Sequence, residues 1–424
     1  MGFPDVPAHA RIDVKAAPQG ARVVTVRDQD GRDRHGALVS ADPIDQLRQA
    51  IVKTAKALAA EGAMPPHLAA MTWRVRDRAP FQDRLREAEL RLREVVGGNL
   101  PVLEIKAVRG LDDGVAVLVD AQAVVPPPPD DPDALVDGRL TAAELNRQYS
   151  ARAAVPNHLE IFVDWRDRGR AFKAAAEGRD RLRADIPYGK RPAETIDLFL
   201  PEGNRPGPLH LFIHGGYWQA MDKDDHCHLM GALLDTGAAA AVINYDLCPQ
   251  VTMDRIVKQT RAACVHLWRH GAELGFDPAR IQLAGHSAGG HLAAMMAATD
   301  WPALDAGLPA DLVKSVVMVS GLFELDPLRF TGMNRALGLD AKAAARNSPV
   351  RLDPSHPMPM VCAVGGLESA EFQRQSRILA ERWSALGSPV NLITLDGRNH
   401  FTVIEDLNDP SSPLFTAAAR LLHG

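Results

Sequence analysis

The feature that most constrains the fold is an alternation of short apolar segments with amphipathic helices, which runs from Thr195 to Leu422. Segments such as 209–213 and 239–244 lack polar alternation and are typical of strands buried on both faces. Strands that alternate with helices favour a mostly parallel sheet covered on both sides, which predicts the α/β class. The expected strands are 195–200, 209–213, 239–244, 281–284, 313–320, 360–364 and 390–394, and the expected helices are 141–148, 158–178, 256–271, 291–298, 372–386 and 413–422.

Residues 285–289 have the sequence Gly-His-Ser-Ala-Gly and stand between a predicted strand and a predicted helix. The pattern G-x-S-x-G in this context is typical of a nucleophile elbow, a sharp turn that exposes a serine hydroxyl. The flanking glycines avoid side-chain clashes in such a turn. The N–H of Ala288 would lie at a helix start, where a developing oxyanion is stabilised. The pattern predicts Ser287 as a catalytic nucleophile.

A second glycine-containing segment, His-Gly-Gly-Tyr-Trp at 214–218, follows the predicted strand 209–213. Glycines after this strand would let backbone N–H groups approach a substrate carbonyl oxygen, so we predict an oxyanion hole from Gly215, Gly216 and Ala288. A plain turn that needs glycine is the structural alternative. The side chains predicted to bind the substrate are His214, Tyr217, Trp218 and His286, with ordinary core burial as the alternative for Tyr217 and Trp218.

The predicted base is His400, because it follows the last predicted strand, where its imidazole can reach the serine. A carboxylate must hold that imidazole in the correct tautomer. Glu368 follows the strand 360–364 and is the predicted acid. The alternatives are Asp396, Glu371 and Asp326.

Residues 224–228, Asp-Asp-His-Cys-His, contain metal-ligand types of side chain. Consecutive residues of a helix point in different directions, and no second pair of ligands is apparent. We therefore expect a solvated helix face here, with no metal and no cofactor in the protein.

The 424-residue chain has a net charge of −5, so no basic excess favours nucleic acid or an anionic membrane surface as a partner. Its four cysteines are far apart in sequence, which is typical of a reduced chain. The first eleven residues lack the apolar core of a secretory signal, and no apolar run is long enough to span a membrane. The expected location is cytoplasmic.

A proline-rich stretch divides the chain, because consecutive prolines interrupt both helices and strands. It predicts a domain at 1–124, a linker at 125–139 and a catalytic domain at 140–424. The first domain has the predicted order β-β-α-β-α-β-β, typical of an α+β domain with helices on one sheet face. Its expected strands are 21–26, 38–39, 68–75, 103–108 and 115–124, and its helices are 44–60 and 81–96.

The segment 140–424 resembles the kynurenine formamidase (arylformamidase) group of α/β-hydrolases. The resemblance rests on the stretches HGGYW, NYDLCP, GHSAGGHLA, VSGLFELDPL, GLESAEFQRQS and NHFTVIEDL. It implies the α/β-hydrolase fold and matches the family nucleophile to Ser287 and its histidine to His400. The family acid, normally Asp, falls on Glu368, so the geometry between histidine and acid must accommodate one more methylene.

The segment 11–124 is similar to the reactive-intermediate deaminase (YjgF-like) family, through helix 44–60, MTWRVRD at 71–77 and VVGGNLP at 95–101. The resemblance implies homotrimers with clefts between subunits. The family's signature arginine falls on Leu103 and its late acid on Asp120. Without a guanidinium there is no bidentate clamp for a substrate carboxylate, which favours an oligomerisation module.

Together these features predict a serine hydrolase that cleaves a small aryl amide or formamide through Ser287, His400 and Glu368. An alternative is an esterase, carbamate hydrolase or other amide hydrolase of aromatic-compound catabolism. A third possibility, from another class, is a non-catalytic trimeric scaffold. The expected partners are a small aromatic substrate and further copies of the chain.

Overall fold

The computed structural model describes residue 17 and residues 19–127, 131–203 and 206–424. They form two compact units. Unit 1 comprises the described residues up to Ala134 together with Leu247–Gln250 and Gly332–Gly338, and unit 2 comprises Leu135–Asp246, Val251–Thr331 and Leu339–Gly424. Part of the predicted linker, residues 128–130, lies outside the described residues.

The described part of unit 1 contains a four-stranded sheet in the order β1-β4-β2-β3. Strand β4 is antiparallel to β1 and β2, whereas β3 is parallel to β2. Helix α1 begins where the carboxylate of Asp42 accepts a 2.7 Å hydrogen bond from the Ile44 N–H. The elements are β1 (Arg22–Asp30), α1 (Pro43–Ala60), β2 (Leu68–Val75), α2 (Ala79–Asp83), α3 (Leu85–Val96), β3 (Val102–Ala107) and β4 (Val117–Val125), with a 3₁₀ turn at Pro65–His67.

The core of unit 1 lies on one face of this sheet. Along β2, Met71 and Trp73 are buried with Leu47 of α1 and Leu92 of α3, whereas the intervening Thr72 is only half-buried. This alternation is the period of a strand with one covered face. The predicted strand at 38–39 is wrong, because Leu38 forms only an isolated bridge with Arg32.

The described part of unit 2 contains an eight-stranded sheet in the order β12-β11-β10-β9-β7-β8-β6-β5. Strands β7 to β12 run parallel, and β6 and β5 continue the sheet in antiparallel pairing. The strands are β5 (Leu182–Pro187), β6 (Thr195–Phe199), β7 (Leu209–Ile213), β8 (Ala239–Ile243), β9 (Ile281–His286), β10 (Ser315–Val319), β11 (Met360–Gly365) and β12 (Val390–Leu395).

Helices flank the sheet strands along the chain, as the alternation predicts. Strand β5 is absent from the predicted elements, because its mostly exposed residues at the sheet edge carry no apolar signal. The helices are α4 (Ala142–Tyr149), α5 (Ala151–Ala154), α6 (His158–Glu177), α7 (Gly231–Leu234), α8 (Met253–Leu274), α9 (Ala288–Ala297), α10 (Trp301–Leu304), α11 (Asn334–Leu337, in unit 1), α12 (Ala341–Arg346), α13 (Ala370–Ala385) and α14 (Pro413–His423). Short 3₁₀ helices lie at Lys223–Asp225, Cys227–Met230, Asp326–Phe330, Pro349–Arg351 and Thr402–Asn408.

The parallel strands place several loops at one edge of the sheet. Strands β7, β9, β10, β11 and β12 all end at this edge, so the residues that follow them are brought together, as is usual for ligand sites of open α/β sheets. Among the described residues, we find no helix long and apolar enough to cross a membrane. All four cysteines are free and buried.

Stability of unit 2 is expected to depend on the central strands. Leu283 of β9 is fully buried and pairs in register with Leu211 and Val316. Replacement of Leu283 by alanine should lower the free energy of unfolding by about 2–5 kcal/mol, because a cavity remains in the core. Leu392 of β12 is 43% exposed, and its replacement by alanine is the matched control, with a loss below about 1 kcal/mol. Equal losses in urea unfolding would contradict this assignment of the core.

Candidate active site

The turn after β9 has the backbone geometry of a nucleophile elbow. Ser287 has φ 56° and ψ −116°, and α9 begins at the next residue. Its N–H donates a 2.8 Å hydrogen bond to the carbonyl of Val319, which fixes the turn to β10. A Cβ at Gly289 would lie 1.9 Å from the carbonyl oxygen of Ile213, so only glycine lets this helix start approach β7 so closely.

Ser287, His400 and Glu368 form a continuous hydrogen-bonded chain. Oγ of Ser287 lies 3.0 Å from Nε2 of His400, and Nδ1 of His400 lies 2.6 Å from Oε2 of Glu368. In this arrangement Nδ1–H donates to the carboxylate and Nε2 is free to accept the serine proton. The three residues are between 2% and 8% exposed. The structure therefore brings together the three predicted catalytic residues with hydrogen-bond geometry.

The second oxygen of Glu368 is held by two donors. Oε1 accepts a 2.5 Å hydrogen bond from the hydroxyl of Ser320 and a 2.7 Å hydrogen bond from the N–H of Gly365. Ser320 has φ 51° and follows β10 directly. Sequence reasoning missed Ser320, although its place after a parallel strand, at the edge where the other site residues lie, was a usable signal. These donors fix the longer glutamate side chain against His400.

The other candidate acids are occupied or exposed. Glu371 binds Arg139, Arg374 and the hydroxyl of Tyr149 at 2.8–3.0 Å. Burial raises the pKa of this carboxyl, but hydrogen bonds from these groups dominate and lower it to about 2. Asp326 pairs with Arg329 at 2.7 Å, and Asp396 is exposed.

The segment 214–218 packs against the elbow with an unusual backbone. Gly216 has φ 101°, followed by Tyr217 at 54° and Trp218 at 56°. A Cβ at Gly216 would lie 2.2 Å from the carbonyl oxygen of Ala220, so the tight turn requires glycine. A Cβ at Gly215 would lie 3.3 Å from Cβ of Ser287, which places this backbone beside the nucleophile.

Three predicted substrate-binding side chains are buried behind the site. His214 stacks on Tyr245 with ring centroids 4.3 Å apart, and Trp218 lies edge-on to His291 at 4.9 Å. His286 is 2% exposed, and its Nε2–H donates a 2.7 Å hydrogen bond to the carbonyl of His400. His214, Trp218 and His286 thus have almost no accessible surface for a substrate, and we do not retain them as direct contacts.

Tyr217 is the predicted pocket residue that remains accessible. Its side chain is half-buried, and its hydroxyl donates a 2.6 Å hydrogen bond to the carbonyl of Tyr149. On the other side of the site, the ring of Phe372 lies 4.3 Å from the ring of His400, and Phe401 lies 5.3 Å from it. The base is therefore flanked by aromatic rings.

The prediction of a solvated helix at 224–228 is wrong. The segment forms two 3₁₀ helices, in which His226 and Cys227 are fully buried. Possible ligand atoms of Asp197, Asp224 and Cys227 lie within 4.8 Å of one another. The ammonium groups of Lys173 and Lys223 pair with both carboxylates at 2.6–3.3 Å, so this donor set serves a buried ion-pair network.

Several histidines of unit 2 are held in the neutral form by burial. Burial lowers the pKa of His226 to about 3, and the charges of His214 and His228 add to the effect. Burial likewise lowers the pKa of His210 and of His291 to about 4. The pKa of His286 is also well below the usual range, first because of burial and then because of the charge of His400. Protonation of any of these rings opposes the folded state.

The chain is similar to several known hydrolases. The family model described as BD-FAE matches residues 196–329. Kynurenine formamidase of Danio rerio is 33% identical over 283 residues, which cover 64% of this chain and 92% of that protein. Kynurenine formamidase of Drosophila melanogaster is 28% identical over 242 residues, which cover 54% and 76%. A crystal structure from Silicibacter sp. TM1040, described as a candidate thioesterase, is 35% identical with a TM-score of 0.58 and covers 65% of this chain and 98% of its own.

The strand order and the elbow at Ser287 define an α/β-hydrolase fold in unit 2. The chain belongs to the kynurenine formamidase family. It is an arylformamidase-like hydrolase of amide or ester bonds.

The neutral buried histidines predict loss of stability at mildly acidic pH. Between about pH 6.5 and about pH 4.5, the unfolded chain binds protons at all its histidines, whereas the folded chain keeps the buried ones neutral. The free energy of unfolding therefore decreases as the pH falls through this window. Glu371 and Glu405 each have a pKa lowered to about 2, so they stabilise the folded state at higher pH. Their contribution to the free energy of unfolding is lost only as the pH falls below about 4.5. Urea unfolding at several pH values measures the slope, at most about 1.4 kcal/mol per pH unit for each histidine.

The control pair for this measurement is His210 and His270. His210→Gln removes one buried neutral histidine and should reduce the slope, whereas His270→Gln changes an exposed ring and should leave it unchanged. A stability that does not change between pH 7 and pH 5, about the window of histidine titration, would contradict the prediction.

Proposed function

We propose that the protein is a serine hydrolase that cleaves a small aryl amide or formamide, with Ser287 as nucleophile, His400 as base and Glu368 as the orienting acid. The observation that carries the proposal is the unbroken hydrogen-bonded chain from Oγ of Ser287 through the imidazole to Oε2 of Glu368. Membership in the kynurenine formamidase family supports the formamide as the substrate bond.

The geometry supports the following reaction. His400 accepts the proton of Ser287 at Nε2 as Oγ attacks the carbonyl carbon, and Glu368 stabilises the imidazolium that forms. N–H groups of Gly215, Gly216 and Ala288 hold the oxyanion of the tetrahedral intermediate. His400 then donates its proton to the leaving amine, and an acyl-enzyme ester remains on Ser287. Water attacks this ester by the same steps and releases the acid.

An alternative substrate class is an aryl ester, a carbamate or another small amide. The similarity to the structure described as a candidate thioesterase, and to a methylesterase of Arabidopsis thaliana, favours this alternative, because the same triad serves amide and ester bonds. The chemistry of the first steps is identical in the two cases. Only the leaving group and the acyl group distinguish them.

Replacement of Ser287 by alanine should abolish turnover, by at least about a thousandfold, because the nucleophile is lost. Turnover of N-formylkynurenine, an amide, and of p-nitrophenyl acetate, an ester, is compared for the parent protein. Faster turnover of the amide favours the formamidase proposal, and faster turnover of the ester favours the alternative. The matched control is Ser411→Ala, which changes an exposed serine of the same unit. A fluorophosphonate probe should label the parent and the control but not Ser287→Ala. Unchanged hydrolysis by Ser287→Ala would refute the assignment.

For the N-terminal part, we propose a YjgF-like domain at 1–124, joined by a linker at 125–139 to the catalytic domain at 140–424. The position of the family's signature arginine holds Leu103, which is 3% exposed and packs in the core of unit 1. That position therefore offers no charged group to a substrate. The proposed role of this domain is assembly of a cytoplasmic homotrimer.

The sheet face opposite the core supports the assembly role. It carries a concavity of about 440 Å³, in which Arg74 pairs with Asp120 at 2.9 Å beside half-buried Thr72 and exposed Thr25. A face of this kind suits a second copy of the chain, which would cover the polar groups that helices α1 and α3 leave open.

Light scattering of the full chain should give about three times the 45.9 kDa of one copy. Thr72→Arg introduces a bulky charge on the proposed interface and should shift the mass toward one copy. Lys56→Glu changes an exposed residue of α1 and should not. A parent protein of single-copy mass would overturn the assembly proposal without affecting the proposed hydrolase.

A further inference from the structure

A short segment that precedes the sheet of unit 2 is fastened to both sides of the active site. The carbonyl of Tyr149, at the end of α4, accepts a 2.6 Å hydrogen bond from the hydroxyl of Tyr217, beside the proposed oxyanion backbone. The hydroxyl of Tyr149 donates to Glu371 at 2.8 Å, and Ser369 donates to the carbonyl of Gln148 at 2.6 Å. The chain that leaves α4 therefore runs between the loop of Tyr217 and the loop of Glu368.

Arg152 lies three residues beyond Tyr149, on α5, and is half-buried. Within the described ranges it forms neither a hydrogen bond nor an ion pair, and Tyr217 is close enough to affect its pKa. The two carboxylates of the loop that Tyr149 and Gln148 contact have other partners. Glu371 is bound by Arg139 and Arg374, and Glu368 is bound by His400 and Ser320.

A half-buried guanidinium without a hydrogen-bonded partner has lost part of its hydration, which is unfavourable unless an anion compensates it. Burial lowers the pKa of Arg152 to about 10, which still leaves the side chain protonated at neutral pH. Its planar group offers parallel N–H donors that match the two oxygens of a carboxylate. Arg152 thus has the charge, the vacant donors and the location of a residue that receives an anionic ligand.

We propose that Arg152 is a specificity-determining residue that binds a carboxylate of the substrate. The inference rests on the proposed function, and it narrows the substrate to an anionic aryl amide. A formyl group carries no carboxylate, so the anion must belong to the arylamine part that departs. Ser287 and His400 act on the amide bond while Arg152 binds the leaving group's charge.

The test compares substrates that share one reacting bond. Formanilide is neutral, and 2-, 3- and 4-formamidobenzoate add a carboxylate at three positions of the same ring. For the parent protein, kcat/KM should be higher for at least one formamidobenzoate than for formanilide. In Arg152→Met this preference should fall about tenfold to a hundredfold, mainly through KM, because a charge-assisted hydrogen-bonded pair is lost. Arg152→Lys, which keeps the charge without the fork, should lie between the two.

Arg147→Met is the matched control, because Arg147 is exposed on the preceding helix and pairs with Glu144. It should keep the parent preference. An equal loss on neutral and anionic substrates in Arg152→Met, with an unchanged preference, would overturn the proposal. Thermal unfolding of each variant distinguishes such a loss from misfolding, and Arg152→Lys provides the second variant if the methionine variant does not fold.

A binding measurement separates this proposal from the proposed function. Calorimetry with Ser287→Ala should detect benzoate and not benzamide, and the added Arg152→Met substitution should remove benzoate binding. Benzoate binding without turnover of any formanilide by the parent would preserve the role of Arg152 and refute the formamidase proposal. Turnover of formanilides by the parent, with equal binding of benzoate and benzamide, would preserve the formamidase proposal and refute the role of Arg152.

Discussion

The geometry of the active site depends on the carboxylate of Glu368. One oxygen binds His400, and the other binds the hydroxyl of Ser320 and the N–H of Gly365. The loops after β10, β11 and β12 therefore meet at one buried side chain. A carboxylate with both oxygens satisfied cannot turn away from the imidazole without the loss of several hydrogen bonds, each expensive in a buried position.

Backbone strain is concentrated at the same edge of the sheet. Ser287, Ser320, Tyr217 and Trp218 all have positive φ values near 55°, a conformation that costs roughly 1–3 kcal/mol for each such residue. The fully buried strands β7 to β11 supply the packing that keeps these turns in place. A well-packed sheet thus holds these unfavourable local conformations, and it positions the groups of the proposed triad before any substrate arrives.

The sequence was most informative where a residue type has one physical use. Glycines in a strand-turn-helix context located Ser287, and chain order located His400 and Glu368. Properties that arise only from tertiary packing were not predictable. Burial of His226 depends on what packs over it, the edge strand β5 lacks an apolar pattern, and the partner of Ser320 lies 48 residues away. The role proposed for Arg152 depends on tertiary structure too, because only the folded chain shows that its guanidinium has no partner among the described residues.

The segment of α4 and α5 contributes to the site from outside the sheet. It precedes β5 in the chain, so no strand or crossover connection runs through it. The carbonyls of Tyr149 and Gln148 accept hydrogen bonds from the site loops, the Tyr149 hydroxyl donates to Glu371, and the Tyr149 ring packs edge-on against Phe372. The framework that positions the proposed triad and the segment that carries Arg152 are therefore encoded in separate stretches of sequence. Substitutions in α4 and α5 can therefore alter the surroundings of the proposed triad while the strands and loops that hold the triad stay the same.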